Sequence, residues 1–465
     1  MDSYVFMRPM PGEKALPANL FRWKSPDGSS VNAFRILFEY LSWGKEVDTH
    51  LERCAQQIKE EGMVFYGVGN HGGGPTKENI DSIHRLQKSL DQYDIRFSSP
   101  NQFFEEVHKK DYELPVYEGD LQHHASGCYS ADSAVKRLNR LAENRLMVAE
   151  KMAAIAKHTM NYSTEKLDRA WTNLLFNQFH DTLAGTALET AYDDFRYEVM
   201  ESMSIASRVE NQSVQKMNWA INIPQEDMIP IVAWNPHTWE VQAPMEIEHY
   251  TSKFKGAKLV DSKGKEVPFQ IIHPEAASNG RTRISFVSNL PSLGYEVFKL
   301  YPGQNDNEDV EVARVSDDLV MENNWYKLSF CPETGHIKSW FVKDKEVEVF
   351  NGPAAVARVM EDLSDTWSHN VIHFDREIGR FSLDSIEKIE DGPVRTVIRV
   401  KQRYEDSLLI QDFIMYQAKE RIDVRVTLDW REKRKLLKLS FPINVIFSQA
   451  NYEAAYGMIG REENG

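Results

Sequence analysis

Three stripes of apolar residues, each at helical spacing, follow one another through the middle of this chain. Val135, Leu138, Ala142, Leu146, Ala149, Met152 and Ala156 share one face, and Leu167, Ala170, Trp171, Leu174 and Leu175 share a second. Leu188, Tyr192, Phe195, Val199, Ile205 and Val209 form the third. Ser130 or Asp132 can cap the first helix, and Thr164-Glu165 opens the second. A helix with one apolar face must cover it, so three in succession predict an up-down bundle. The stripes are core, and nothing in them suggests a cofactor.

The second and third stripes are separated by Asn177-Gln178-Phe179-His180-Asp181-Thr182-Leu183-Ala184-Gly185-Thr186. Two readings fit the break. Asp181 or Thr182 can cap the next helix, with His180 a satisfied interior histidine. Alternatively, the imidazole and carboxylate present a metal ligand and a hydrogen-bond acceptor to one cavity.

Before the bundle, strand-like and helix-like patterns alternate. Tyr4 to Met7, Val31 to Phe38, Met63 to Gly67 and Tyr93 to Phe97 read as strands, and helix patterns run through Val47–Ile58, Ile80–Leu90 and Asn101–Val107. The alternation predicts parallel strands with helical crossovers, and Asp27-Gly28 supplies a tight turn before Val31. In such folds function collects in loops after the strands, which directs attention to Gly67-Val68-Gly69-Asn70-His71-Gly72-Gly73-Gly74-Pro75-Thr76. The loop is no phosphate cradle, because Gly-Pro-Thr-Lys stands where Gly-Lys-Ser/Thr is needed. A second polar loop, His123-His124-Ala125-Ser126-Gly127-Cys128, follows an extended run that ends at Asp120-Leu121. It reads first as the plain approach to a helix cap, since adjacent histidines point different ways and seldom share one ion.

After Asn222-Ile223-Pro224 the texture becomes short, β-branched or alternating runs separated by turn signals. Pro230–Trp234, Tyr295–Tyr301, Arg395–Tyr404, Leu408–Tyr416 and Arg421–Trp430 are the clearest, and they predict antiparallel sandwich sheets. Asp365-Thr366-Trp367-Ser368-His369-Asn370 combines carboxylate, indole and imidazole, the mixture sugar sites use, although a surface loop anchored by one tryptophan has the same look.

At 465 residues the chain is too long for one ordinary core. With 55 Lys+Arg against 70 Asp+Glu its net charge is −15, which argues against nucleic acid as a partner. The three cysteines, Cys54, Cys128 and Cys331, lack CxxC spacing; this speaks against a disulfide framework or a thiolate zinc site and for a cytoplasmic location. No run approaches the ~20 apolar residues of a spanning helix, so no membrane partner is expected.

The run LLFNQFHDTLAGTALETAYDD, beginning at Leu174, resembles a segment of the α-mannosidases of glycoside hydrolase family thirty-eight. GDLQHHASGCYSADSAVKRLNRLAEN, the Gly-Gly-Gly-Pro-Thr loop, Trp234-Asn235-Pro236 and Leu428-Asp429-Trp430 are similar to other segments of the same family, in the same order. The resemblance implies that His180 is a zinc ligand, that Asp181 contacts mannose hydroxyls, and that Asp120 and His124 border the sugar. Many members carry an acidic Asp where Asn70 stands, and an amide cannot donate a proton as a carboxylic acid does. His71 is the substitute donor beside it. Asp365 and Trp367 complete the expected sugar contacts.

The expected fold is multidomain α/β + α + β. Residues 1–112 would be the C-terminal part of a β/α catalytic domain, 113–222 a three-helix bundle, and 223–465 an antiparallel β-sandwich domain cut short. The expected function is metal-dependent, retaining hydrolysis of terminal α-D-mannosides. A retaining glycosidase needs two carboxyl groups about 5–5.5 Å apart. The resemblance puts the nucleophile and the other zinc ligands upstream of this chain, which makes it an internal portion with weak or no activity. The alternative is a non-catalytic carbohydrate-binding subunit that complements a separately encoded N-terminal half. The sequence leaves homo-oligomerisation, linkage specificity and the identity of the divalent ion open.

Overall fold

The computed structural model describes residues 2–59, 61–69, 73–110, 112–121, 125–158, 164–249, 256–272, 282–303, 318–369, 371, 373–446, 449–454 and 457–462. The chain divides into two compact units. Met1–Ser126 with Ser368–Ile372 and Phe447–Gly465 forms one, and Gly127–Trp367 with His373–Ile446 forms the other.

The first unit holds a four-stranded mixed sheet in the order β1-β3-β2-β4, with β1 Ser3–Phe6, β2 Leu20–Lys24, β3 Ser30–Arg35 and β4 Val116–Glu118. β1 runs parallel to β3, β2 antiparallel to β3, and β4 parallel to β2. The expected parallel pairing holds for β1–β3 and β2–β4, with three helices between β3 and β4, and is corrected at β2–β3, which is antiparallel. Asp27-Gly28 folds β2 back onto β3 as a hairpin, with the Gly28 N–H on Ser25 O at 2.9 Å and Gly28 at φ +89°. That turn makes Leu20–Lys24 a strand although it sits in a Pro- and Gly-rich stretch.

Three helices follow: α1 Glu46–Gln57, α2 Lys77–Ser89 and α3 Pro100–Lys110. A capping box starts α2, with the Thr76 hydroxyl accepting from the Asn79 N–H and the Asn79 side chain accepting from the Thr76 N–H. Asn79 also donates to Gly44 O at 2.7 Å, which pins α2 to the loop before α1. Met63–Gly67 and Tyr93–Phe97, expected as strands, join no sheet. Met63 instead packs against the core around Phe34, Phe103, Phe104 and Val107, and Gly67 O accepts from the Ser42 N–H at 2.9 Å. Tyr93 and Phe97, by contrast, are exposed.

In the second unit α4 Ser133–Ile155, α5 Thr164–Phe176 and α7 Glu189–Trp219 form the bundle, with a five-residue helix, α6 His180–Ala184, in the break. Most of the predicted stripes are the core: Val135, Ala142, Leu146 and Ala149 meet Leu167, Ala170 and Leu174, and both meet Tyr192, Phe195, Val199 and Val209, whereas Leu175 and Leu188, at the two edges of the helix break, are exposed. Asp132 is the cap of α4 and accepts from the Val135 N–H.

The rest of this unit is antiparallel in every pairing among the described residues. One sandwich sets β5 Ile229–Trp234, β10 Tyr295–Tyr301 and β7 Lys258–Val260 against β6 Val241–His249, β9 Thr282–Leu290 and β8 Phe269–Ile272 around Phe286 and Phe298. A second sets β11 Val320–Glu322, β12 Tyr326–Phe330, β13 Ile337–Val342 and β14 Val347–Glu348 against a four-stranded sheet around Phe330, Ile398, Val400 and Phe413. After β15 Val356–Glu361 and β16 Glu377–Arg380, that sheet runs β17 Ser382–Asp391, β18 Arg395–Tyr404, β19 Ser407–Tyr416 and β20 Ile422–Asp429. β21 Lys435–Ser440 pairs with β15. Buried Arg395 ties the two sandwiches together, pairing with Glu390 at 2.5 Å and with Glu246 of β6. A last hairpin, β22 Gln449–Ala454 and β23 Gly457–Glu462, belongs to the first unit.

Candidate active site

The break between α5 and α7 is built by polar anchors on either side of α6. Asn177, buried at the end of α5, donates to Asn173 O at 2.8 Å and to Glu198 Oε2 of α7 at 2.5 Å. Gln178 donates to Asn139 Oδ1 of α4 at 3.1 Å. Beyond α6, Gly185 closes the turn at φ +82°, a left-handed conformation in which a Cβ would lie 2.4 Å from Ala131 O. The Thr186 N–H then donates to Asp181 O at 3.1 Å, and the Ala187 N–H to the Tyr192 hydroxyl at 2.8 Å.

Neither half of the capping reading survives this geometry. The residue before α7 is Leu188, without a side-chain cap, and Phe179 precedes α6 in the same way. His180 is no interior histidine, since its side chain is 74% exposed, with Nε2 3.5 Å from Asp181 Oδ1. The Phe179 ring lies 4.3 Å from the His180 ring and restricts it on one side.

The charges of Asp181 and Asp365 both act on one neighbour. The Cys128 thiol is pushed up by burial and further by the charges of Asp365 and Asp181, against the opposing Lys136 ammonium. Its Sγ faces Thr366 O at 4.0 Å, and the Trp367 N–H donates to Asp365 Oδ1 at 3.1 Å, so the Asp365–Trp367 turn stands beside the start of the bundle. Burial also raises the Tyr192 hydroxyl, with Asp132, Asp181 and Cys128 adding to it. The helix break and the loop more than 180 residues later therefore present two carboxylates, a half-buried indole and an exposed imidazole within this unit.

Lys136 is the residue sequence reasoning missed. Its ammonium donates to Ala184 O, the last carbonyl of α6, at 2.9 Å and to Ala131 O. Burial lowers its proton affinity, and Asp132 and Cys128 oppose that shift. The only sequence signal is its place next to Val135, one step off the apolar stripe.

The other predicted positions lie elsewhere. Asp120 belongs to the first unit, where it pairs with Lys14 at 2.9 Å. Asn70, His71 and His124 lie outside the described residues. A His-x-Asp spacing occurs at His373-Phe374-Asp375, with both side chains exposed. Among the described residues no three His, Cys, Asp or Glu side chains converge as a metal site. His180 and Asp181 alone are too few donors for a zinc centre, which takes three or four protein ligands. A complete zinc centre would need further donors besides these two.

Models of known families account for most of the chain. Residues 4–120 match the glycosyl hydrolases family 38 N-terminal domain, 123–217 the alpha mannosidase middle domain, and 321–465 the glycosyl hydrolases family 38 C-terminal domain. The chain belongs to glycosyl hydrolase family 38. Within the family it is 24% identical to alpha-mannosidase G of Dictyostelium discoideum over 96% of its own length and 44% of that protein. It is 22% identical to human alpha-mannosidase 2C1 over 96% of its length and 42% of that protein. The chain thus spans less than half of these family 38 relatives. Among solved structures it superposes on an alpha-mannosidase from Enterococcus faecalis V583 with a TM-score of 0.75 at 14% identity, covering 99% of this chain and 62% of that one. That likeness establishes the family 38 fold. No helix among the described residues is long and apolar enough to cross a membrane.

Proposed function

We propose that this chain supplies part of the active site of a metal-dependent, retaining α-mannosidase that acts on terminal α-D-mannosides. The observation that carries the reading is the family's three domain models falling in order along one chain, with the exposed His180 of the middle segment next to Asp181. His180 is the zinc ligand this chain contributes. A bound zinc would orient the sugar and stabilise charge. Asp181 and Asp365 accept hydrogen bonds from sugar hydroxyls, and the half-buried Trp367 offers an indole face to a pyranose ring. The resemblance alone nominates Asp120 and His124 as sugar contacts and His71, beside the non-acidic Asn70, as the proton donor. Residues 1–112, 113–222 and 223–465 serve as catalytic, helical and β-sandwich domains. A cytoplasmic location is supported by three free cysteines.

A second reading, a non-catalytic carbohydrate-binding subunit that complements a separate N-terminal half, draws support from the incomplete donor set among the described residues. One assay separates the two. With zinc present, the chain is given an aryl α-D-mannoside, the β-anomer and an aryl α-glucoside, and mannose binding is followed by calorimetry. Selective hydrolysis of the α-mannoside supports the enzyme, and binding without turnover supports the subunit. Turnover of another sugar, or neither binding nor turnover, contradicts both.

A further inference from the structure

The strand β20 ends its sheet, so on its outer side no strand among the described residues takes up its N–H and C=O groups. From Val424 to Asp429 every side chain is exposed. Val424, Val426 and Leu428 stand in register with Phe413, Gln411 and Leu409 of β19 and share their face of the sheet. Those three β19 residues are buried, whereas Val424, Val426 and Leu428 are 44%, 48% and 41% exposed. By alternation the other face carries Arg421, Asp423, Arg425, Thr427, Asp429 and Arg431, the first and last lying just outside the strand. Arg421 pairs with Asp423 at 2.6 Å and Arg431 with Asp429 at 2.9 Å, while Arg425 has no ion-pair or hydrogen-bond partner among the described residues. A row of one sign would repel a second copy of this edge; this row changes sign about Thr427.

We propose that β20 is the seam of a homodimer, in which two copies of the chain pair this strand antiparallel across a twofold axis at Thr427. About that axis Arg425 stands opposite the partner's Asp429 and Asp423 opposite the partner's Arg431, and each contact occurs twice because the interface is isologous. On the apolar face Val426 meets the partner's Leu428, so the two exposed strips cover each other along the seam. The free N–H and C=O groups of the two edges satisfy one another. Neighbouring axes match less well: one at Arg425 sets that arginine against itself, and one at Val426 sets Asp423 against Asp429. An axis at Val424 brings Asp423 to Arg425 but leaves Leu428 opposite Glu420. The seam uses no residue of the candidate active site.

Sedimentation velocity of the whole chain over a concentration series tests the seam. The wild type is expected to be a dimer that dissociates on dilution. Arg425→Asp and Asp429→Arg each set like charges opposite one another twice, and each should weaken the dimer at least about tenfold. Mixed in equal amounts, the two variants should recover it, because every like pair becomes an acid opposite an arginine. About an axis at Val424 the mixture would stay apart, since the side chain of Arg425→Asp would face the partner's Asp423. Both positions are exposed, and melting curves check that the variants fold. Should a reversal fail to fold, Val426→Lys, which puts a charge into the apolar strip, takes its place and weakens the dimer likewise. A wild type that is monomeric at every concentration, a dimer that neither the reversals nor Val426→Lys weaken, or a mixture of the two reversals that stays monomeric would overturn the proposal.

Discussion

Lys136 shows how one long side chain can set the position of another that it does not touch. Helix ends leave carbonyls without intrahelical donors, and Lys136 supplies one to Ala184 O while bonding Ala131 O across the gap. His180 and Asp181 sit on the same five-residue helix, too short to hold itself in place. Replacing Lys136 with Met strands both carbonyls at a half-buried position, an expected loss of about 1–3 kcal/mol. Urea midpoints measure that loss. If the ammonium positions α6, mannose binding by Lys136→Met weakens roughly tenfold, equivalent to about 1.4 kcal/mol, and Lys136→Arg recovers part of it. Unchanged sugar binding in a destabilised Lys136→Met chain would confine the residue to a structural role.

At the scale of elements, the long helices were legible because each repeats its apolar residues over several turns, as in Val135 through Met152. Helix α6 was not, since five residues cannot show a period. Its polar anchors, Asn177 and Lys136, act across chain separations of 21 and 48 residues. The strands Arg395–Tyr404 and Tyr295–Tyr301 were read with their observed bounds, whereas Leu20–Lys24 was hidden by flanking prolines and glycines and by one Asp-Gly turn that fixes its hairpin. On α1, His50 is buried four residues before Cys54, and burial lowers its proton affinity below the ordinary value. The unfolded chain therefore takes up a proton more readily than the folded one below about pH 6.5. Stability contributed by neutral His50 is present above that pH and is lost as the pH falls toward the depressed folded value. Between pH 6.5 and 5.5 the wild type should lose up to about 1 kcal/mol more than His50→Gln. Equal losses in the two proteins would show that another group sets the acid limb.

At the scale of the whole molecule, the succession of α/β, helical and antiparallel β textures was readable in order, because each texture has its own period. The candidate site was less so. His180 and Asp181 could be singled out from the helix break, but the joint action of Asp181 and Asp365 on Cys128 depends on sheets folding back over more than 180 residues. The central claim is that the outward His180-Asp181 turn is a metal and sugar corner, and zinc-dependent mannose binding tests it most directly. Calorimetry of mannose with the wild type, His180→Ala and Asp181→Asn, each with zinc and with chelator, should give binding that zinc strengthens in the wild type. His180→Ala should lose the zinc dependence, and Asp181→Asn should bind at least about tenfold more weakly. Mannose binding that is absent from the wild type, or the same in all three proteins with and without zinc, would contradict the account.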